Sequence, residues 1–342
     1  MRLTHWAVTV CLGTIASATS GITSLSIGGA SFPADPYVAA AYNFSYSFGV
    51  SATYSTSNSG TGQQNTFNGI FQVGASDVPI NTALYGSNGS IVAIPAIAGG
   101  LVVTYNIPGL STSTQLKFSR KVLPRIFDGT IASWNDPRLV ADNPALANQS
   151  SPIIIITRSA GSGSTLNFIK SLKLMDASNG FEGSPYTNPK FKLGVSTSVL
   201  AATTDAAASI VGSFPHTITY LSQAEALLAE ANSNGFCNFA MAQHLNGDYI
   251  PCNSASIQTA VVNVDSATLD KLDFSTGGLS ILDVSTPGAY PIAIISNFVV
   301  RPLQLANNRP TTLATLEFIC LPHHTRLCHS TIRLLATRPS NI

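Results

Sequence analysis

Charge is scarce in this chain. Of 342 residues, 17 are lysine or arginine and 16 are aspartate or glutamate, a formal net charge of +1. That balance provides no basic field, so neither a nucleic-acid surface nor an anionic-membrane surface is expected. With 45 % hydrophobic residues, so little charge also argues against disorder. Long apolar runs are missing as well. Beyond the N-terminus, no segment has enough uninterrupted apolar residues for a membrane helix. No lysine follows the glycines at 161–165, which removes a P-loop. Gly161-Ser162-Gly163 is not a G-x-S-x-G elbow, and neither His216 nor His244 has an evident acidic partner, so a serine hydrolase is not supported.

Cysteines number five. Cys11 falls in the N-terminal leader, where Val8-Thr9-Val10 makes a poor lipobox. Cys237 and Cys252 flank a short polar stretch and are expected to pair as a disulfide in an oxidising compartment. Cys320 and Cys328 lie with His323, His324 and His329 in a spacing that fits no strong zinc pattern, so no metal is expected. That stretch, 320–342, has three arginines and no acidic residue; it is expected to be an atypical, poorly ordered basic tail.

The chain starts with a polar Arg2–His5 segment, a short apolar run from Trp6 to Ile15, and small residues at Ala16-Ser17-Ala18. This is the pattern of a secretory signal peptide over residues 1–18. The product is expected to be exported: secreted or, in a bacterium, periplasmic. Asn43, Asn88 and Asn148 each begin an N-x-S sequon and become glycosylation sites if the host glycosylates.

The most informative stretch is Arg158-Ser159-Ala160-Gly161-Ser162-Gly163-Ser164-Thr165. It follows a stretch, Ser151–Thr157, that reads as a buried parallel strand, and it precedes a helical pattern from Leu166 to Leu172. A strand, a Gly/Ser turn and a helix start together seat an anion, because free backbone N–H groups and the helix dipole point at the same spot. Ser24–Gly29 reads as a first strand entering a glycine turn. Ser31 follows in a helix N-cap position, with Pro33 in the first turn. Residues 50–56 alternate as a strand, and Asn58-Ser59-Gly60-Thr61-Gly62 reads as another small-residue turn. Phe71–Pro79 reads as a strand ending in a turn. Ile91–Tyr105, with Pro95 and Gly99-Gly100 inside it, suits a chain crossing between lobes. An amphipathic helix is expected from Phe118 to Gly129, capped by Ser119, and another from Ser222 to Asn232. At this length two lobes fit, and the alternation of strands and helices indicates an α/β fold rich in parallel pairing.

In this order, Gly28-Gly29-Ala30-Ser31-Phe32-Pro33, Ser59-Gly60-Thr61-Gly62, Gly74-Ala75-Ser76-Asp77-Val78-Pro79 and Arg158–Ser164 resemble the ligand loops of the periplasmic phosphate-binding proteins of ABC transporters. Tyr105-Asn106-Ile107-Pro108-Gly109 and Ile126–Pro137 resemble further landmarks of that family. The likeness is dense over 24–170 and looser to about Phe318, where the style is closer to the secreted DING-type relatives. It implies a type II periplasmic-binding-protein fold: two lobes, mixed sheets flanked by helices, and a two-segment hinge. The implied division is lobe 1 over 22–98, lobe 2 over 99–274 and a return to lobe 1 over 275–319. It implies inorganic phosphate as ligand, no cofactor, no catalysis, a monomer, and a membrane phosphate permease as partner. The implied ligands are Ser31, the Phe32 amide, Ser59 and Asp77 from one lobe, and Arg158, Ser162, the Gly163 amide and Ser164 from the other. Ala160 departs from the family, which carries an acidic partner for the arginine there.

Taken singly, each residue has a plainer use. Ser31 and Ser162 can cap helices, Asp77 and Ser59 suit turns, and Arg158 suits a solvated strand end. The functional reading comes from their convergence. Asp77, when ionised, can only accept a hydrogen bond, so it favours an anion that still carries a proton: phosphate has a P–OH to donate and sulfate has none. The competing expectation is a secreted phosphatase or phosphoryl-transfer enzyme built on the same site.

Overall fold

The computed structural model describes residues 23–86, 90–110, 115–178, 198–233, 237–262 and 279–301. The signal segment, Asn88, the loose match around Phe318 and the Cys/His tail lie outside these residues. Along the chain run β1 (Ser24–Gly29), α1 (Ala34–Phe48), β2 (Ser51–Thr56), α2 (Ser59–Phe67), β3 (Val73–Ser76), α3 (Thr82–Tyr85) and β4 (Val92–Asn106). Next come β5 (Lys117–Phe118), α4 (Leu123–Phe127), α5 (Pro137–Val140), β6 (Ile154–Arg158), α6 (Gly163–Met175), β7 (Ser198–Ala201), α7 (Thr204–Ser213) and β8 (Thr217–Ser222). The series ends with α8 (Gln223–Asn232), β9 (Cys237–Phe239), β10 (Met241–Gln243), β11 (Tyr249–Ile250), α9 (Ser254–Val261) and β12 (Ala293–Val300).

Among the described residues, one sheet runs in the order β2-β1-β3-β12-β4-β8-β6-β7, with β9 also on β4. β1 pairs in parallel with β2 and β3, and β6 pairs in parallel with β7 and β8. The antiparallel pairings sit in the middle, where β12 and β8 both run against β4. β4 is the joint. Its residues 92–100 pair with β12, and from Leu101 onward it pairs with β8. The apolar run with Pro95 and Gly99-Gly100 is therefore one strand shared by two half-sheets. A register irregularity in β12 falls at Ser296/Asn297, opposite Pro95, whose missing N–H cannot serve the ladder.

Each half has its own core. In the first, α1 buries Tyr37, Ala40, Ala41 and Phe44 against β1, β3 and Phe298 of β12. The spacing 37, 40, 41, 44 is one helical face. In the second, Phe168 of α6 stacks on Tyr220 with ring centres 4.3 Å apart, and Phe127 meets Phe168 edge-on. On the opposite face α7 and α8 pack small residues, Ala207, Ala208, Ala226 and Ala229, against Val102, Ile156 and Leu221. No described helix is long and apolar enough to cross a membrane.

Three local expectations need correction. Ser59–Phe67 is a helix, not a turn: Asn58 caps it by accepting from the Thr61 amide at 2.9 Å, and its glycines serve packing. A Cβ on Gly62 would overlap the Ala75 carbonyl oxygen, so only glycine lets α2 lie this close to β3. The helix expected from Phe118 starts only at Leu123, because Pro124 has to fall in its first turn. Its expected buried face, Val122, Leu123, Ile126 and Phe127, is buried. Finally, Cys237 and Cys252 are free thiols. Cys237 sits opposite Asn106 and Cys252 rests against Gly100. From Gly100 to Asn106 the strand advances roughly 20 Å at about 3.3 Å per residue, and a disulfide needs Cα atoms within about 7 Å. Asn43 lies exposed on α1 and Asn148 lies exposed on the surface before β6.

Candidate functional site

The C-terminal ends of β1, β3 and β6 all lead toward one region, and the helices that follow begin there. Parallel strands enforce this, since each crossover helix must start at the strand's carboxyl end. Ser31 lies in the turn after β1. Its hydroxyl does not cap α1, whose start has no side-chain cap; it lies 3.1 Å from the Thr204 hydroxyl instead. Phe32 turns its ring over Gly99 of β4, packing the turn onto the shared strand. Ser59 opens α2 and accepts from the Asp77 amide at 3.0 Å. That bond fixes the loop after β3 to the start of α2.

On the other side, β6 ends at Arg158, and Ser162 caps α6 by accepting from the Thr165 amide. Gly163 and Ser164 are then the first two helical residues. Their amides have no intrahelical acceptor and point out of the helix end. Thr165 and Tyr220 share a 2.6 Å hydrogen bond that anchors this turn to β8. Burial pushes the Tyr220 phenol up to about 12.

The two halves touch here. A Cβ on Gly163 would overlap the Ser59 hydroxyl and come within 3.0 Å of the Asp77 Cβ, so the tip of α6 can approach only as glycine. Asn167, one turn further along α6, donates to the Asp77 carbonyl at 2.6 Å. Arg158 donates from Nη1 to Thr204 Oγ1 at 2.6 Å, and Thr204 meets Ser31. Ser31, Ser59, Asp77, Arg158, Ser162, Gly163 and Ser164 thus sit around one junction between the half-sheets. Asp77 and Arg158 each line a small cavity among the described residues. Arg158 faces a small one of about 10 Å³ with Ser162, Ser164, Thr204 and Ser222. Asp77 faces one of about 50 Å³ with Asn167, Lys170 and Asn297.

Both charged groups are deep. Asp77 is 5 % exposed and Arg158 is 7 % exposed. Burial pushes the Asp77 carboxyl up to about 7, against the opposing pull of the Ser296 and Ser59 hydroxyls. Burial likewise holds the Arg158 guanidinium below its usual range, with Tyr220, Glu225 and Asp205 favouring its charge. Asp77 Oδ1 and Arg158 Nε have no hydrogen-bond partner. Buried polar atoms are nearly always paired, and leaving one unpaired costs about 1–3 kcal/mol. The first half thus holds an unpaired acceptor and the second an unpaired donor. Among the described residues no group of His, Cys, Asp or Glu is arranged to hold a metal ion.

Sequence reasoning missed Thr204, Asn167, Ser296 and Tyr37. Thr203-Thr204-Asp205 was readable as a helix start, since Thr203 caps α7 by accepting from the Ala206 amide. Nothing in the sequence ties that start to Ser31, 173 positions earlier. Tyr37 and Ser296 have buried, unpartnered hydroxyls near the Asp77 carboxyl, and both belong to faces that read as ordinary core.

Comparison with known proteins places this geometry. A family model described as a PBP superfamily domain matches residues 14–308. The chain is 40 % identical over 157 residues to the phosphate-binding protein PstS of Haemophilus influenzae, covering 46 % of each. It is 28 % identical over 261 residues to the phosphate-binding protein PstS of Methanocaldococcus jannaschii, covering 73 % of this chain and 65 % of that one. The match thus spans less than two thirds of these relatives' own length. Among solved structures, a periplasmic phosphate-binding protein (PfluDING) bound with phosphate superposes with a TM-score of 0.67 at 17 % identity, covering 87 % of this chain and 85 % of that one. A putative phosphate ABC transporter substrate-binding protein with bound phosphate from Clostridium perfringens gives 0.56 at 14 % identity, covering 87 % and 92 %. These structural likenesses establish the fold, two α/β lobes about a shared strand.

Proposed function

The chain belongs to the PBP superfamily, and we propose that it captures inorganic phosphate between its two lobes as an exported solute-binding protein. The lobes would be 22–98 with 275–319, and 99–274. The observation that carries this reading is the pair of unsatisfied buried atoms, Asp77 Oδ1 and Arg158 Nε, on either side of the α6 tip. Phosphate answers both: its O–H donates to the carboxylate and its oxyanion accepts from the guanidinium. The remaining oxygens meet the Ser31, Ser59 and Ser164 hydroxyls, the Ser162 turn, and the amides of Phe32, Gly163 and Ser164. The likeness to phosphate-binding relatives supports the ligand class.

Binding without turnover is the better reading of the same residues. A phosphatase needs an activated nucleophile or a metal. Ser162 Oγ is occupied at the cap of α6. His244 is held by Val284 O and Asn246, away from the junction. A chromogenic phosphomonoester with Mg²⁺ and Zn²⁺ should show no turnover above background. Hand-over of phosphate to a membrane permease, as a monomer, completes the proposal.

Affinity is bounded by ligand size. At a ceiling of about −1.5 kcal/mol per heavy atom, phosphate reaches about −7.5 kcal/mol, a Kd of order micromolar, and charge-assisted bonds in a dry site go tighter. Calorimetry at neutral pH should give micromolar or tighter phosphate binding, with sulfate about a hundredfold weaker. Equal heats for both anions would rule out Asp77 as the acceptor that selects for a protonated ligand.

A further inference from the structure

We propose that Thr204 is a positioning residue that aims Arg158 without neutralising it and ties it across the junction to Ser31. The proposal rests on the phosphate reading and assigns how that site keeps its charge.

A guanidinium as deep as that of Arg158 ordinarily meets a carboxylate, because an uncompensated buried cation is costly. The ion pairs of the described residues lie elsewhere, Arg120 with Asp283 and Arg138 with Asp136. The acids that favour its charge, Glu225 and Asp205, form no ion pair with it. Glu225 accepts from the Ser222 amide at 2.9 Å in the capping box of α8. Asp205 occupies the first turn of α7, where the helix dipole favours it, and makes no ion pair. The partner that Arg158 does have is a neutral hydroxyl, Thr204 Oγ1, at 2.6 Å. A hydroxyl orients the guanidinium through one hydrogen bond and leaves its full positive charge for an incoming anion. A carboxylate at that place would orient it equally well and cancel the charge.

Thr204 is also the residue that carries the bond across. It is the first residue of α7 and belongs to the half-sheet of β6 and β7, whereas Ser31 belongs to the half of β1. A hydroxyl has one proton and two lone pairs. It can accept from Arg158 and still share the 3.1 Å hydrogen bond with Ser31. Arg158, Thr204 and Ser31 form a chain across the junction, and hydrogen bonds in such chains polarise one another. Helix capping does not require the Thr204 side chain, since Thr203 supplies the cap. Its hydroxyl is therefore free for this role.

The test uses the full chain with inorganic phosphate, measuring Kd by calorimetry, the dissociation rate by stopped flow, and Tm. Thr204→Val keeps the shape and removes the hydroxyl. It should weaken phosphate about tenfold or more, mainly through faster dissociation, and Thr204→Ser should restore binding to within about threefold of the parent. Thr204→Asp should lose about a hundredfold or more, because the new carboxylate pairs with Arg158, while Thr204→Asn should lose far less. A Val variant with the parent's Kd and dissociation rate overturns the inference. So does an Asp variant that binds no worse than Asn, and that comparison decides the matter if the Val variant does not fold. If the parent itself gives no heat with phosphate, the phosphate reading fails and takes this inference with it. If the parent binds and the variants behave alike, only the role of Thr204 fails.

Discussion

Asp77 and Arg158 are almost equally deep, and each keeps one atom unpaired, yet the two halves of the site handle their buried charge in opposite ways. Around Asp77 the first half is internally knit. Ser59 takes the Asp77 amide, Asn167 reaches over to its carbonyl, and Ser296 stands beside its carboxyl. Beside the donors of the Ser31–Phe32 turn and Ser59, this half holds an unpaired acceptor oxygen, Asp77 Oδ1. Around Arg158 the second half offers donors in excess: a guanidinium held by a neutral hydroxyl, and a helix start whose first amides face outward. On the proposed reading, one half attracts any small anion and the other admits only one that brings a proton. The difference teaches that affinity and selectivity reside on separate elements, so separate substitutions should remove them.

The largest effect is expected on the attracting side. Arg158→Gln should weaken phosphate by about a hundredfold or more, since charge-assisted bonds in a desolvated site are roughly twice as strong as neutral ones. The same change removes a buried cation that has no ion-pair partner, so the ligand-free protein should lose no stability and should melt at or above the parent's temperature. Calorimetry and a thermal melt on one sample check both signs. A large drop in Tm would mean that Arg158 is chiefly structural.

The selecting side should respond in a different quantity. In the folded chain the Asp77 carboxyl is raised from 3.8 to about 7. Between those values the folded state holds a proton that the unfolded chain has lost, so the contribution of this group to stability is full below the unfolded value and is lost as pH rises through the folded one. The total change is of order a few kcal/mol. Glu225, raised to about 7 by its own burial, titrates in the same window. Asp77→Asn isolates the Asp77 share: the fall in ligand-free stability between about pH 4 and 7 should become shallower by that amount. Binding gives the complementary signal. A protonated carboxyl donates, so the parent's preference for phosphate over sulfate should shrink as pH drops below about 7. The Asn variant, which donates at every pH, should show the reduced preference throughout. A preference that ignores both pH and the substitution would place selectivity elsewhere.

Much of this contrast was legible along the chain, and what was not has physical reasons. The strand–turn–helix at 153–172 shows itself because a run of isoleucines followed by Gly and Ser has few other uses. The start of α2 looked like a turn because Ser59-Gly60-Thr61-Gly62 has poor helix propensity. Gly62 is there for contact with β3, which only the fold reveals. Ser31 looked like a helix cap because serine before proline usually is one, but its partner is a residue on another half-sheet. Local patterns report what neighbours in sequence do. The bonds that build the junction, Arg158 to Thr204 within the second half and Thr204 to Ser31 and Asn167 to Asp77 between the halves, link positions that no periodicity relates.

The smallest effect concerns how the halves are held rather than what they hold. The two described cysteines, Cys237 and Cys252, lie along the part of β4 that faces the second half and its boundary. A native disulfide there would add about 2–4 kcal/mol by shortening the unfolded chain's reach. As free thiols they contribute only packing. Cys237 is buried among Val102, Ala229 and Leu221, and Cys252 rests on both cores of that half. Burial raises both thiols to about 12, so neither is a ready thiolate at neutral pH and neither should exchange with an added disulfide. Reduction should therefore leave the melting temperature unchanged to within about a degree, and thiol titration should count both groups only after unfolding. A reductant-dependent loss of several degrees, about what a disulfide of 2–4 kcal/mol is worth in a chain of this size, would require β4 to bring Gly100 and Asn106 together in a way that a continuous strand does not allow.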